Sequence, residues 1–145
     1  MPDVGIALDP ACLKHVPSML EVEKPDRLLA IELAFRSLKL LNRALVLPPR
    51  KARLDEVALA HAREYVQYIA RCCAVGQRPS AETAASAGTW EAALHAAGAG
   101  LGAVDAIMHG DIRRAFCAVR PPGHHTHRDK PGAFCVLTHT APAAA

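Results

Sequence analysis

With 145 residues, 51% hydrophobic and 21% charged, the chain has the length of one domain and the composition of neither a disordered nor a fibrous polymer. Aromatics make up only 4%, so Ala and Leu carry most of the packing, which suits a helix-rich protein. The formal charge of +3 is mild and its basic residues are scattered, with Arg50, Lys51 and Arg53 the densest group, which excludes the basic stripe of a nucleic-acid reader.

No run has the length of a membrane-spanning helix, and the N-terminal MPDVGIALDP carries Asp3 and no n-region or cleavage site. The expectation is a cytoplasmic protein with no nucleic-acid and no membrane partner. Cys12, Cys72, Cys73, Cys117 and Cys135 are odd in number and lack CxxC spacing, so reduced thiols are expected rather than a disulfide framework or a zinc ribbon.

Val4-Gly5-Ile6-Ala7-Leu8 is a short apolar run closed by Asp9-Pro10, which predicts the first strand of a buried parallel sheet. Pro25 with Asp26 predicts a helix start, since proline fits the first turn and the acid faces the positive end of the dipole. Leu28, Leu29, Ile31, Leu33, Leu38, Leu40 and Leu41 are expected to form its broad buried face, with Arg36, Lys39 and Arg43 outside and Pro48-Pro49 ending the unit.

Asp55-Glu56 predicts the cap of a helix through Val57, Leu59 and Ala60, and His61 to Val66 leads into a second with Tyr65, Ile69 and Cys72 on one side. Gly76 to Ser80 reads as a break. Gly88 or Thr89 then caps a long helix from Trp90 to about His109, whose Ala96, Ala97, Gly98, Gly100, Gly102 and Ala103 predict a close-packing surface. Each glycine there costs roughly 1 kcal/mol of helix propensity. Their G-x-G-x-G spacing, inside a helical pattern and without a strand immediately before it, excludes a dinucleotide-binding loop. Gly110 stops the helix, and Ala115-Phe116-Cys117-Ala118-Val119 predicts a buried strand.

That strand runs into Arg120-Pro121-Pro122-Gly123-His124-His125. The prolines have no N–H for strand pairing, and Gly123 is expected to take backbone angles closed to other residues. Two adjacent imidazoles in a stiff loop suit proton transfer, one ring as base and the other as acid or electrostatic partner. An arbitrary histidine pair in a proline turn is more often solvated surface, so context has to decide. His124, His125, His127, Cys135 and His139 are near in sequence, but no i, i+4 or CxxC spacing marks a dedicated metal site.

Strand, Arg-Pro-Pro-Gly-His-His, polar loop and Phe134-Cys135 opening an Ala-rich segment resemble the signature of the zinc-dependent histone deacetylase and acetylpolyamine amidohydrolase family. Pro25-Asp26-Arg27-Leu28 is similar too, although Glu21-Val22-Glu23 stands before it where the family has His-Pro-Glu. The run Asp55-Glu56-Val57 to His61, then Glu64-Tyr65-Val66, resembles the family's D-E-x-x-x-x-H-x-x-E-Y-V, and is equally compatible with an ordinary helical hairpin. Glu82 to Thr89 resembles a rim loop that usually opens with Asp.

The resemblance implies a three-layer α/β fold with a mostly parallel sheet flanked by helices, incomplete here, residues 1–145 being the N-terminal portion of a single deacetylase-like domain. It implies hydrolysis of an acetyl-lysine or acetylpolyamine amide, with zinc held by two aspartates and a histidine. Position by position, His125 matches the general base and acid and His124 its electrostatic partner. Phe134 matches the aromatic of the acyl tunnel, and Glu82 and Gly132 are substrate-side positions. The zinc ligands, and the Tyr that stabilises the oxyanion, are expected downstream, so no metal ligand is assigned in this chain. Two departures stand out: Ala133 precedes Phe134 where the family usually has Gly, and Thr138 to Pro142 replaces an Asn-rich helix start, with Pro142 expected to cost about 3 kcal/mol. The match therefore fades toward Ala145, leading to three expectations: a truncated product of a longer coding sequence, no activity alone, and self-association through an unpartnered strand edge. The alternative is a non-catalytic remnant or interaction module.

Overall fold

The computed structural model describes residues 2–17 and 22–145, so Glu21 of the Glu21-Val22-Glu23 triplet lies outside the described residues. Its elements in chain order are β1 (Val4–Leu8), α1 (Pro25–Ser37), β2 (Leu45–Leu47), α2 (Leu54–Val57), α3 (Arg63–Ala74), α4 (Thr89–Met108), β3 (Arg114–Ala118) and α5 (Thr140–Ala143), with 3₁₀ turns at Pro10–Lys14 and Leu40–Asn42.

The strands form a parallel sheet in the order β2-β1-β3, with Gly5 opposite both Leu45 and Ala115. The central strand is the one buried along its middle, as its unbroken apolar run requires. Asp9 ends it by accepting from the Ala11 N–H at 2.9 Å, which turns the chain into the first 3₁₀ turn. Side chains of β3 alternate between faces. Ala115 and Cys117 pack with Ala99, Ala103 and Ala106 of α4, while Phe116 meets Phe35 of α1 edge-to-face at 5.6 Å. Helices on both faces of a parallel sheet give three layers.

The small residues of α4 are a packing surface, as expected. A Cβ on Gly98 would collide with the Arg50 carbonyl, and the Ala52 N–H donates to the Leu94 carbonyl at 3.0 Å, so the incoming loop lies directly on the helix. Gly110 ends α4 with φ +82°, and the Gly110 and Asp111 N–H groups donate to Ile107 and Ala106, both at 3.0 Å.

Four expectations are corrected. The apolar positions of α1 do not form a broad buried face: Leu28 is buried, but Leu29, Ile31, Leu33 and Leu38 are exposed, with Leu33 at 66%. β3 is not a buried strand, because Phe116 is 53% exposed and no strand among the described residues pairs with its outer side. Leu45–Leu47, read as the tail of a helical unit, is strand β2, and the helix capped by Glu56, whose side chain accepts from the Arg53 N–H at 2.8 Å, ends at Val57 rather than Ala60. Pro142 is the third residue of the four-residue α5, where the N–H has no intrahelical partner to lose, so the expected cost does not arise.

Candidate functional site

The loop after β3 is anchored at its first residue. Arg120, 3% exposed, grips Glu23 with Nε and Nη2, each at 2.9 Å, and spends Nη1 on the carbonyls of Cys12 at 3.0 Å and His15 at 2.6 Å. His15 adds its Nε2 at 3.3 Å from Glu23, with Nδ1 at 2.7 Å from the Thr89 hydroxyl. Burial by itself would raise the Glu23 carboxyl, but the hydrogen bonds of His15 and Arg120 and the Arg120 charge outweigh it and hold it down at about 2. Burial pushes the neighbouring Cys12 thiol up to about 11, which makes it an inert packing group.

Past Pro122 the chain emerges with His124 and His125 both exposed, ring centroids 4.0 Å apart and planes tilted by 54°. Gly123 is not among the glycines with positive φ, contrary to expectation. It is required for room: a Cβ there would lie 2.5 Å from the His139 ring, whose backbone N–H donates to the Gly123 carbonyl at 3.2 Å.

Gly132 is likewise a close approach, because a Cβ would collide with the His125 carbonyl. The Thr83 hydroxyl donates to the Gly132 carbonyl at 2.6 Å, and Gly132 and Cys135 exchange backbone hydrogen bonds at 3.1 and 3.2 Å. Ala133 and Phe134 form the tip of that turn, with Phe134 at φ 61°, a left-handed conformation that costs a non-glycine residue about 1–2 kcal/mol. The Phe134 N–H donates to the Glu82 carbonyl at 3.0 Å, which offsets part of that strain. The displaced glycine thus leaves Phe134 on the rim, walling a cleft with Arg78, Ala81, Glu82 and Ala133 on one side and reaching His15, Pro17 and Ala84 on the other. The expected positions are linked in pairs: His124 by its ring to His125, the His125 carbonyl to Gly132, and Phe134, in the turn that Gly132 opens, to the Glu82 carbonyl.

Two histidines of the supporting layer were not singled out as site residues. His61, 1% exposed, has Nδ1 at 3.3 Å from the Arg128 carbonyl and accepts from the Thr138 N–H at Nε2, 2.9 Å away. That pairing requires the neutral ring with its proton on Nδ1. His61 therefore ties the far end of the histidine loop to the segment that carries His139. Its signal was the D-E-x-x-x-x-H spacing; what was not visible was that this ring faces inward.

Burial lowers the His61 pKa, and burial together with the His124 charge lowers that of His139 to about 4. Both groups are depressed in the folded chain, so their contribution to stability is complete above about pH 6.5, the unfolded value, and is lost as pH falls toward 4. Each proton held off costs up to about 1.4 kcal/mol per pH unit. The melting midpoint should fall between pH 6.5 and 4, and fall less steeply in His139→Phe. A midpoint that stays level over that range would contradict the assignment.

Among the described residues no group of three or more His, Cys, Asp or Glu side chains is placed to hold a metal ion.

Fold and loop together define a three-layer α/β domain of the arginase/deacetylase type. The family model described as the histone deacetylase domain matches residues 21–145. The polyamine deacetylase HDAC10 of Homo sapiens is 36% identical over 94% of this chain, which covers 20% of that protein. A probable deacetylase of Archaeoglobus fulgidus is 32% identical over 94% of the chain and 39% of its own length. The crystal structure of the HDA15 HD domain superposes with a TM-score of 0.92 at 26% identity, covering 99% of this chain and 43% of that one. The chain belongs to the histone deacetylase domain family, and it spans about a fifth of the human relative's length.

Proposed function

We propose that residues 1–145 are the N-terminal portion of a single zinc-dependent deacetylase domain and supply its proton-handling pair and one wall of its acyl tunnel. The observation that carries this reading is the rim itself: His125 is held by its carbonyl against Gly132, and Gly132 opens the turn that presents Phe134. In the assembled domain His125 takes a proton from the attacking water and returns it to the leaving amine, while His124 4.0 Å away acts through its charge. Phe134 packs on the methylene chain that carries the acetylated nitrogen. The zinc would be held by residues outside this stretch. The substrate is an acetylated polyamine or acetyl-lysine, a choice supported by the similarity to a polyamine deacetylase and by the matching histone deacetylase domain. A cytoplasmic setting is supported by five cysteines that are all free thiols.

The test is amide turnover by two proteins supplied with zinc: this chain alone, and a chimera joining it to the part of the Archaeoglobus fulgidus deacetylase beyond the matched stretch. The chain alone should show none, because two histidines without a bound Lewis acid cannot polarise the amide carbonyl. The folded, zinc-loaded chimera should deacetylate acetylpolyamine or acetyl-lysine peptides. Turnover by the chain alone would overturn the division of labour, and a folded, zinc-loaded chimera without turnover would overturn the deacetylase reading in favour of a non-catalytic module.

A further inference from the structure

Two four-residue turns far apart in sequence are fastened to one another beside the cleft of about 270 Å³ that Phe134 walls. In the first, Ser80 to Thr83, the Thr83 N–H donates to the Ser80 carbonyl at 3.3 Å. In the second, Gly132 to Cys135, the Cys135 N–H donates to the Gly132 carbonyl at 3.1 Å. Adjacent residues of the first turn grip alternate residues of the second: the Thr83 hydroxyl holds the Gly132 carbonyl at 2.6 Å, and the Glu82 carbonyl holds the Phe134 N–H at 3.0 Å. Thr83 is 0% exposed, and its oxygen also accepts from the Ser80 hydroxyl at 2.9 Å, so the hydroxyl is oriented toward Gly132.

We propose that Thr83 is a positioning residue for Phe134: its hydroxyl fixes the turn that offers the aromatic ring to the cleft, and so sets substrate affinity rather than the rate of the chemical step. A non-glycine residue at φ 61° persists only where its surroundings over-determine it, and the paired grip of Glu82 and Thr83 is that constraint. Valine would fill nearly the same volume as threonine, so the hydroxyl is the part of the side chain that the turn uses. Removing it orphans no backbone acceptor, because the Gly132 carbonyl keeps the Cys135 N–H. Its loss is therefore cheap for the fold and felt at the turn. The histidine pair is spared because its loop is anchored separately, at Arg120. The link to substrate affinity rests on the deacetylase reading; the positioning of Phe134 does not.

The first arm of the experiment is amide hydrogen exchange of the 145-residue chain and of Thr83→Val and Thr83→Ser, with Ala97 in α4 as internal reference. In Thr83→Val the Phe134 and Cys135 amides should exchange about three- to tenfold faster, the worth of one hydrogen bond, while Ala97 holds its rate. Thr83→Ser keeps the hydroxyl and should restore them. Phe134 and Cys135 amides unchanged in Thr83→Val, or perturbed equally in Thr83→Ser, would overturn the positioning role. Should Thr83→Val fail to fold, Ser80→Ala removes the group that orients the hydroxyl and should speed the same two amides; unchanged rates there would overturn the role as well. The second arm is kinetics of the chimera: Thr83→Val should raise KM by about three- to tenfold with kcat nearly unchanged, and should add nothing in a Phe134→Ala background. A fall in kcat with KM unchanged, or an effect that adds to that of Phe134→Ala, would overturn the claim that Thr83 acts through Phe134. A folded, zinc-loaded chimera without turnover would strike the deacetylase reading, and the exchange rates would still decide the role of Thr83.

Discussion

Arg120→Ala should destabilise the chain by about 3–5 kcal/mol, the cost of leaving one member of a buried ion pair without its partner. Glu23 is 4% exposed and takes its two shortest hydrogen bonds from this guanidinium, keeping only His15 at 3.3 Å and the more exposed Arg27 at 3.4 Å, and the carbonyls of Cys12 and His15 lose their Arg120 bonds at the same time. For a chain of this size that corresponds to a fall of roughly 10 °C in melting midpoint. Arg120→Lys should be only a partial rescue, since an ammonium cannot reproduce the two-pronged grip on the carboxylate and the third arm to the carbonyls. The double variant Glu23→Met with Arg120→Met removes both charges and should recover more than Arg120→Lys. The check is a set of urea or thermal melts at pH 7. An Arg120→Ala protein within two or three degrees of the parent would mean that the network is incidental to the fold. The effect reaches the site because Arg120 is the residue from which the histidine loop leaves the sheet.

His125→Ala in the catalytically competent chimera should lower kcat by about 10²–10⁴, the usual worth of a positioned proton carrier. His124→Ala should cost less, because it removes a neighbouring charge and not the carrier. KM should change little in both, since neither ring packs on the substrate's methylene chain, whereas Phe134→Ala should act mainly on KM. A His125→Ala enzyme with kcat within a few-fold of the parent would remove His125 from the mechanism and shift the role to its neighbour.

The local features were legible in the residues. α4 could be read from Gly88 and Gly110 at its ends and small residues between them, because caps and close-packing surfaces depend on the segment itself. The histidine loop was legible for the same reason, as a strand stopped by two prolines. What escaped depends on partners distant in sequence. The leucines of α1 look like a core stripe, but burial is decided by what lies opposite, and of Leu28, Leu29, Ile31, Leu33 and Leu38 it is Leu28 that is buried, in a cluster with Cys12, Ala96 and Ala118. β2 is three residues long and becomes a strand only because β1 lies beside it. Gly123 was expected to serve through its backbone angles, whereas it serves by leaving space for a ring sixteen residues further on. His61 is a surface-compatible residue by composition, and its role emerges only when Arg128 and Thr138 are brought to its two nitrogens.

The sheet order carries a consequence for how the chain is made. β1 is the central strand, yet its partner β3 begins with Arg114 opposite Val4, so one side of the first strand waits for a segment made about a hundred residues later. At synthesis rates of about 5–20 residues per second, β1 emerges several seconds before that pairing can form. In that interval α3 and α4 can coil locally, but the sheet they cover cannot close, and the loop entropy spent on so distant a contact is recovered only at the end. The nascent chain therefore passes through a stage in which an apolar strand and half-formed helices are exposed together, a stage suited to capture by a chaperone and poorly suited to spontaneous refolding at high concentration.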